Sequence, residues 1–134
     1  MMGRFQSEYG TRPRMLLAYA DAAYASECGR YFRRLGWEVQ MVGSGVDARA
    51  FADEYRPDVV VLDAELLDES GWLTSAKIST ANPSMHIVLV ATDWNERVQE
   101  RAQMVGAEQC VSRKDGAEGL ALSILGTPTF SQAV

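Results

Sequence analysis

Short apolar runs and longer amphipathic stretches alternate along this chain. Continuous apolar runs occupy residues 15–19, 59–62 (within Asp58–Asp63), 87–91 and 110–111, and residues 37–42 alternate between apolar and polar. The continuous runs are too short for ordinary helices and apolar on both faces, which indicates strands buried between layers of helix. Pro57 lacks a backbone N–H, so it marks the start of the third strand.

The segments between these runs carry apolar residues at helical spacing. The first predicted helix covers residues 22–35 and ends at Gly36, a typical C-terminal cap. Further helices are predicted around residues 48–55 and over residues 72–81, 95–105 and 117–125. Strands that alternate with helices form one doubly wound parallel sheet with right-handed crossovers. The predicted fold class is therefore α/β.

Composition restricts the kinds of protein that this chain can be. A length of 134 residues, 47% of them hydrophobic, fits one globular domain. A net charge of −5 disfavours nucleic acid or an anionic membrane as partner. The two cysteines, Cys28 and Cys110, lack metal-ligand spacing and are predicted to be reduced. No apolar run approaches the ~20 residues of a membrane span, and the start lacks a secretory signal, so a cytoplasmic protein is expected.

Asp63 is the strongest candidate for a functional residue. It ends the apolar run that follows Pro57. In open α/β sheets, ligands and chemistry gather at the carboxyl ends of the strands. The alternative is an ordinary turn or capping aspartate, since this residue type is common where chains turn.

The chain resembles the receiver domain of two-component response regulators over about residues 14–125. The resemblance is carried by Pro57 to Asp63, Gly71, Asn82 and Pro83, Ile87 to Val90, and Val105 to Ala107. It implies a flavodoxin-like five-stranded sheet in the order 2-1-3-4-5. It also implies that Asp63 accepts a phosphoryl group from a histidine kinase or phosphotransfer protein, and that the domain is not an enzyme.

The resemblance also implies a Mg²⁺ site beside the phosphoacceptor. The family places an acidic pair after strand one, and counting back from Gly36 puts that pair on Tyr19 and Ala20. Neither residue is a usual Mg²⁺ ligand. Asp21 follows directly and could replace the pair, although it is also a good N-cap for the first helix. Asp63, Asp21 and the backbone at Glu65 would then bind Mg²⁺ only weakly.

The remaining family positions are also altered. Counting from Gly106 puts the family's hydroxyl on Ala91, with Thr92 next to it, and the family's lysine on Arg113, with Lys114 next to it. The same count puts Cys110 where the family carries a switching aromatic.

Two explanations remain open for these departures. The domain is either a degenerate receiver whose Asp63 is vestigial, or an active one that uses Asp21, Thr92 and Lys114. A third, flavodoxin-type cofactor carrier is disfavoured because Asp21 would repel a phosphate in the loop after strand one.

The expected mode of action is contact with other proteins. We predict a stand-alone module over residues 13–126, with a flexible lead at 1–12 and a tail at 127–134. The resemblance places the partner surface on Asn95–Leu125, and a homodimer is a further alternative. Trp94 lies just before this surface, where its ring either fills the phosphoryl pocket or covers apolar surface.

Overall fold

The computed structural model describes residues 12–126. The predicted tail, 127–134, and all of the predicted lead except residue 12 lie outside these residues. The strands are β1 (Arg14–Ala18), β2 (Glu38–Val42), β3 (Val59–Asp63), β4 (His86–Ala91) and β5 (Gln109–Ser112). The helices are α1 (Ala22–Arg34), α2 (Gly45–Tyr55), α3 (Gly71–Ala81), α4 (Glu96–Met104) and α5 (Gly116–Leu125). Strands and helices alternate along the chain, as the apolar pattern predicts.

The five strands form one parallel sheet in the order β2-β1-β3-β4-β5. This confirms the predicted flavodoxin-like architecture. β3 is central and completely buried, in agreement with the apolar residues Val59–Leu62 that precede Asp63. Asp63 pairs with Val90 of β4 in the register of the sheet, while Leu62 pairs with Ala18 of β1. The carboxyl end of β3 therefore lies between the ends of two neighbouring strands.

A separate apolar core covers each face of the sheet. On one face α1 and α5 pack on the strands through Tyr24, Cys28, Phe32, Ala117, Leu120 and Ile124. On the other face α2, α3 and α4 contribute Ala48, Ala52, Tyr55, Ile78 and Ala102. Both cysteines are free and buried, as expected for reduced thiols of this core. No helix in residues 12–126 is long and apolar enough to cross a membrane.

The predicted element boundaries differ from the observed ones by a few residues at most. The largest omission is a short 3-10 helix over Arg113–Asp115, between β5 and α5. At the start of this 3-10 helix, the Ser112 hydroxyl accepts a hydrogen bond from the Lys114 N–H at 3.2 Å. This turn matters because it carries two of the predicted site residues.

Candidate functional site

The carboxylate of Asp63 is buried at the carboxyl end of β3. The residue is 3% exposed. Its Oδ1 accepts a hydrogen bond from the Glu65 N–H at 2.9 Å, and its Oδ2 accepts a longer one from the Ala20 N–H at 3.4 Å. A Cβ on Gly71 would lie within 2.8 Å of the Ala64 Cα. Gly71 thus allows α3 to begin directly against the strand end and brings the backbone of the loop close to Asp63.

Arg113 supplies the positive charge that compensates Asp63. Its Nη2 donates to Oδ1 at 3.0 Å and to Oδ2 at 2.9 Å. The side chain of Arg113 is 22% exposed and that of Asp63 is 4% exposed, so water screens the pair only weakly. Counting from Gly106 predicted this position for the family's lysine, and the structure brings Arg113 rather than Lys114 to Asp63.

Thr92 and Glu65 close a network around the ion pair. The Nη1 of Arg113 donates to the Thr92 hydroxyl oxygen at 3.3 Å. That hydroxyl donates in turn to Glu65 Oε1 at 3.1 Å, and the same oxygen lies 3.8 Å from Arg113 Nη2. The guanidinium is therefore held by Asp63, Thr92 and Glu65 together. Among the described residues, its buried Nε has no hydrogen-bond partner.

The carboxylate of Asp21 lies at the start of the first helix. Its Oδ1 accepts hydrogen bonds from the backbone N–H groups of Ala23 and Tyr24 at 3.0 Å and 3.1 Å, which caps the N-terminus of α1. The capping alternative therefore describes this conformation. Tyr19 and Ala20 contribute no carboxylate.

In this conformation the two carboxylates of the predicted Mg²⁺ site, Asp21 and Asp63, are engaged in other contacts. Mg²⁺ requires oxygen ligands in nearly octahedral geometry at about 2.0–2.1 Å. Within residues 12–126, no group of three or more His, Cys, Asp or Glu side chains is arranged to hold a metal ion. Of the predicted ligands, the Asp21 carboxylate caps α1 in this conformation, and the Asp63 carboxylate accepts a hydrogen bond from the backbone of Glu65. A cation, the guanidinium of Arg113, already contacts both oxygens of Asp63.

The other predicted site residues lie around this network or away from it. Lys114 pairs with Asp93 at 2.9 Å on the surface, and the hydrogen bond between them raises the pKa of Lys114. Ala91 is buried at the end of β4. Cys110 is buried in β5, where burial raises the pKa of its thiol to about 11.

Trp94 does not fill the space beside Asp63. Its indole Nε1 donates to Gln99 Oε1 at 3.3 Å, and the residue is 47% exposed. The same Gln99 oxygen accepts the Cys110 N–H at 3.0 Å. Trp94 therefore lines a groove along β5 between α4 and α5, together with Cys110 and Leu122. These contacts agree better with a Trp94 ring that covers apolar surface than with one that fills the phosphoryl pocket.

Hydrogen bonds and an ion pair connect the loop between β3 and α3 to α2. The carboxylate of Asp68 accepts the N–H groups of Gly45 and Val46, at 2.9 Å and 3.1 Å, at the start of α2. Glu69, whose side chain is 8% exposed, pairs with Arg49 at 2.9 Å and Lys77 at 2.8 Å. These contacts connect the loop of residues 64–70 to α2 and α3. They were not anticipated from the sequence.

The family model for the response regulator receiver domain matches residues 16–124. This chain belongs to that family. Receiver domains are signalling modules of two-component systems, and they typically bind Mg²⁺ at the site of phosphorylation. The sheet order and the position of Asp63 at the end of β3 agree with this membership.

Solved receiver structures share the fold of this receiver domain. The chemotaxis protein CheY4 of Vibrio cholerae superposes with a TM-score of 0.80 at 17% identity, over 87% of this chain and 98% of that one. A CheY-like receiver domain protein of Methanospirillum hungatei gives a TM-score of 0.79 at 16% identity, over 92% of this chain and 98% of that one. At these low identities the similarity concerns the fold alone.

One curated protein is more similar in sequence over a shorter stretch. The Probable transcriptional regulatory protein TcrX of Mycobacterium tuberculosis is 38% identical over 66 residues, or 49% of this chain. The aligned part covers 27% of TcrX, so the chain spans about a quarter of the length of this relative.

Proposed function

We propose that this receiver domain acts through protein contacts and that Asp63 serves mainly as the anionic half of an internal ion pair. The observation that carries the proposal is the contact of Arg113 Nη2 with both Asp63 oxygens, at 2.9 Å and 3.0 Å. In this arrangement the residue expected to accept phosphate is occupied by a cation of the same chain. The domain then presents one conformation without needing phosphorylation.

The chemistry of phosphoryl transfer supports this assignment. A carboxylate nucleophile needs an accessible oxygen, and a cation must offset the charge of the incoming phosphoryl group. Both oxygens of Asp63 accept hydrogen bonds from Arg113, and the acidic pair of the family is replaced by Tyr19 and Ala20. Transfer to Asp63 is therefore expected to be slow, and Mg²⁺ binding weak.

The proposed contact surface is Asn95–Leu125, which contains α4, β5 and α5. Three large apolar side chains at or beside it are strongly exposed: Met104 at 85%, Trp94 at 47% and Leu122 at 46%. Exposed apolar side chains beside a groove suit a docked protein better than open water. A downstream protein is the proposed occupant, and a second copy of the chain is the alternative.

Labelling with a small phosphoryl donor tests the role of Asp63. The protein is incubated with phosphoramidate and Mg²⁺, and its intact mass is followed beside Asp63→Asn. We expect little or no addition of a phosphoryl group, and the loss of any addition in the variant. Rapid and complete labelling that requires Asp63 would instead support the active receiver.

The active alternative has one observation in its favour. The hydroxyl of Thr92 lies in the network around Asp63, where it could donate to a phosphoryl oxygen. The other two residues that the active alternative would use make different contacts, since Asp21 caps α1 and Lys114 pairs with Asp93. The labelling experiment distinguishes the two cases.

The contact surface is tested by exchanging charge on α4. Arg97→Glu and Glu100→Lys change exposed residues of that helix. A captured partner should be lost from these variants and retained by Glu54→Lys, which lies on α2. Retention by all variants would place the contact elsewhere.

A further inference from the structure

The N-terminus of α5 is capped by a side chain from α1. Glu27 Oε2 accepts the Ala117 N–H at 3.0 Å, although 90 residues separate the two. The local N-cap residue, Asp115, makes no side-chain capping hydrogen bond. A carboxylate at this end of a helix is stabilised by the unpaired N–H groups and by the helix dipole. Glu27 therefore replaces the cap that α5 lacks in its own sequence.

The chain leaves room for this contact at Gly116. The residue has a φ of 65°, in the left-handed region that favours glycine. A Cβ built on it would lie 2.9 Å from Glu27 Oε2. The absence of a side chain at residue 116 therefore leaves room for Glu27 to approach Ala117. The flanking Cys28 and Ala117 are both buried in the core shared by α1 and α5.

This cap lies directly behind the turn that carries Arg113. The 3-10 helix Arg113–Asp115 directly precedes α5, and Gly116, with its φ of 65°, joins the two elements. Both Glu27 and Arg113 affect the pKa of the hydroxyl of buried Tyr24. Its pKa is raised, chiefly by burial and further by Cys28 and Glu27, whereas Arg113 lowers it. Glu27 and Arg113 therefore lie near the same buried ring.

We propose that Glu27 is a positioning residue that holds Arg113 on Asp63 through the N-terminus of α5. The proposal rests on the proposed function, because it concerns the same ion pair. When the Glu27 cap is present, the turn has one position relative to α1 and the guanidinium stays on the carboxylate. When the cap is lost, the start of α5 can fray and Arg113 leaves Asp63 for part of the time.

Binding of Mn²⁺ reports on this displacement. A divalent ion binds Asp63 less tightly while the guanidinium lies on the carboxylate, because two cations at one carboxylate repel each other. Free Mn²⁺ is measured by electron paramagnetic resonance during titration of the wild type, Arg113→Ala, Glu27→Ala, Glu27→Gln and the double Glu27→Ala, Arg113→Ala variant. Glu118→Ala is the matched control, since it removes an equal charge from the first turn of α5.

The expected affinities form a thermodynamic cycle. Arg113→Ala should bind Mn²⁺ at least about tenfold more tightly than the wild type, because a competing cation is removed. Glu27→Ala should give a smaller gain of about threefold, and the double variant should equal Arg113→Ala because both changes act through the same group. Glu27→Gln keeps an oxygen that can accept the Ala117 N–H, so it should match the wild type, as should Glu118→Ala.

The possible results separate the two proposals. If Arg113→Ala does not tighten Mn²⁺ binding, the guanidinium does not occupy a cation position, and both proposals fail. If Arg113→Ala tightens binding but Glu27→Ala does not, Glu27 has no positioning role and the ion-pair proposal stands. A double variant that binds clearly more tightly than Arg113→Ala would also overturn the role of Glu27.

Discussion

The Nη2 atom of Arg113 lies 2.9 Å and 3.0 Å from the two carboxylate oxygens of Asp63, at the buried end of the central strand. A buried carboxylate requires compensation, because transfer of an unpaired charge from water is costly. Here the compensating charge belongs to the chain and not to a bound ion. This relationship determines both the stability and the chemistry expected of the site.

Removal of the guanidinium should destabilise the fold. Arg113→Ala leaves the Asp63 carboxylate, 4% exposed, without its cation. We expect a loss of about 2–4 kcal/mol in the free energy of unfolding, measured with urea. The double Arg113→Ala, Asp63→Asn variant should recover much of this loss, since no buried charge is then left unpaired.

Lys114 offers a control for this experiment. It is adjacent in sequence, but its pair with Asp93 is exposed to water. Lys114→Ala should therefore leave the urea midpoint unchanged. Equal losses of unfolding free energy in Arg113→Ala and Lys114→Ala would mean that the internal ion pair contributes no more to stability than the exposed pair of Lys114 with Asp93.

The close approach at Gly71 should make this position intolerant of a side chain. A Cβ there would meet the backbone of Ala64 at 2.8 Å. Gly71→Ala is expected to cost about 2–3 kcal/mol and to shift the amide resonance of Glu65, which donates to Asp63. At Gly43 an added Cβ would meet no atom within 4 Å, and Gly43→Ala should be neutral or slightly stabilising. Similar stabilities of the two variants would contradict the close contact.

Glu69 should make stability depend on pH in acid. Burial alone would raise its pKa, but hydrogen bonds from Lys77, Arg49 and Thr74 outweigh burial and lower the pKa to about 2. A depressed pKa in the folded state contributes stability above the ordinary value of 4.5, and this contribution is lost as the pH falls towards 2. The loss should amount to about 2–3 kcal/mol.

Urea unfolding between pH 5 and about pH 2 measures this effect. Glu69→Gln should flatten the decline, whereas Glu54→Gln, an exposed residue of α2, should follow the wild type. An unchanged slope in Glu69→Gln would show that Glu69 is not the carboxylate responsible.

The periodicity of the sequence predicted a doubly wound parallel sheet, and the resemblance to receiver domains supplied the strand order. The apolar run ending at Asp63 suits burial on both faces, which a central parallel strand provides. Gly36 and Gly106 mark helix ends, and counting from Gly106 placed Arg113 correctly at the end of β5.

The contacts of the site were harder to predict. Asp21 can cap a helix or bind a metal, and only the orientation of its carboxylate distinguishes the two. The network of Thr92 with Glu65 and the cap of Ala117 by Glu27 join residues far apart in the chain. Such contacts depend on side-chain conformations, and no local sequence pattern encodes them.

A Mg²⁺ titration of the unaltered protein tests the central claim most directly. The amide resonances of Ala20 and Glu65, whose N–H groups donate to Asp63, are followed by NMR. If Arg113 occupies the cation position, both resonances should stay unchanged below millimolar Mg²⁺. Saturable shifts at micromolar Mg²⁺ that disappear in Asp63→Asn would contradict the account.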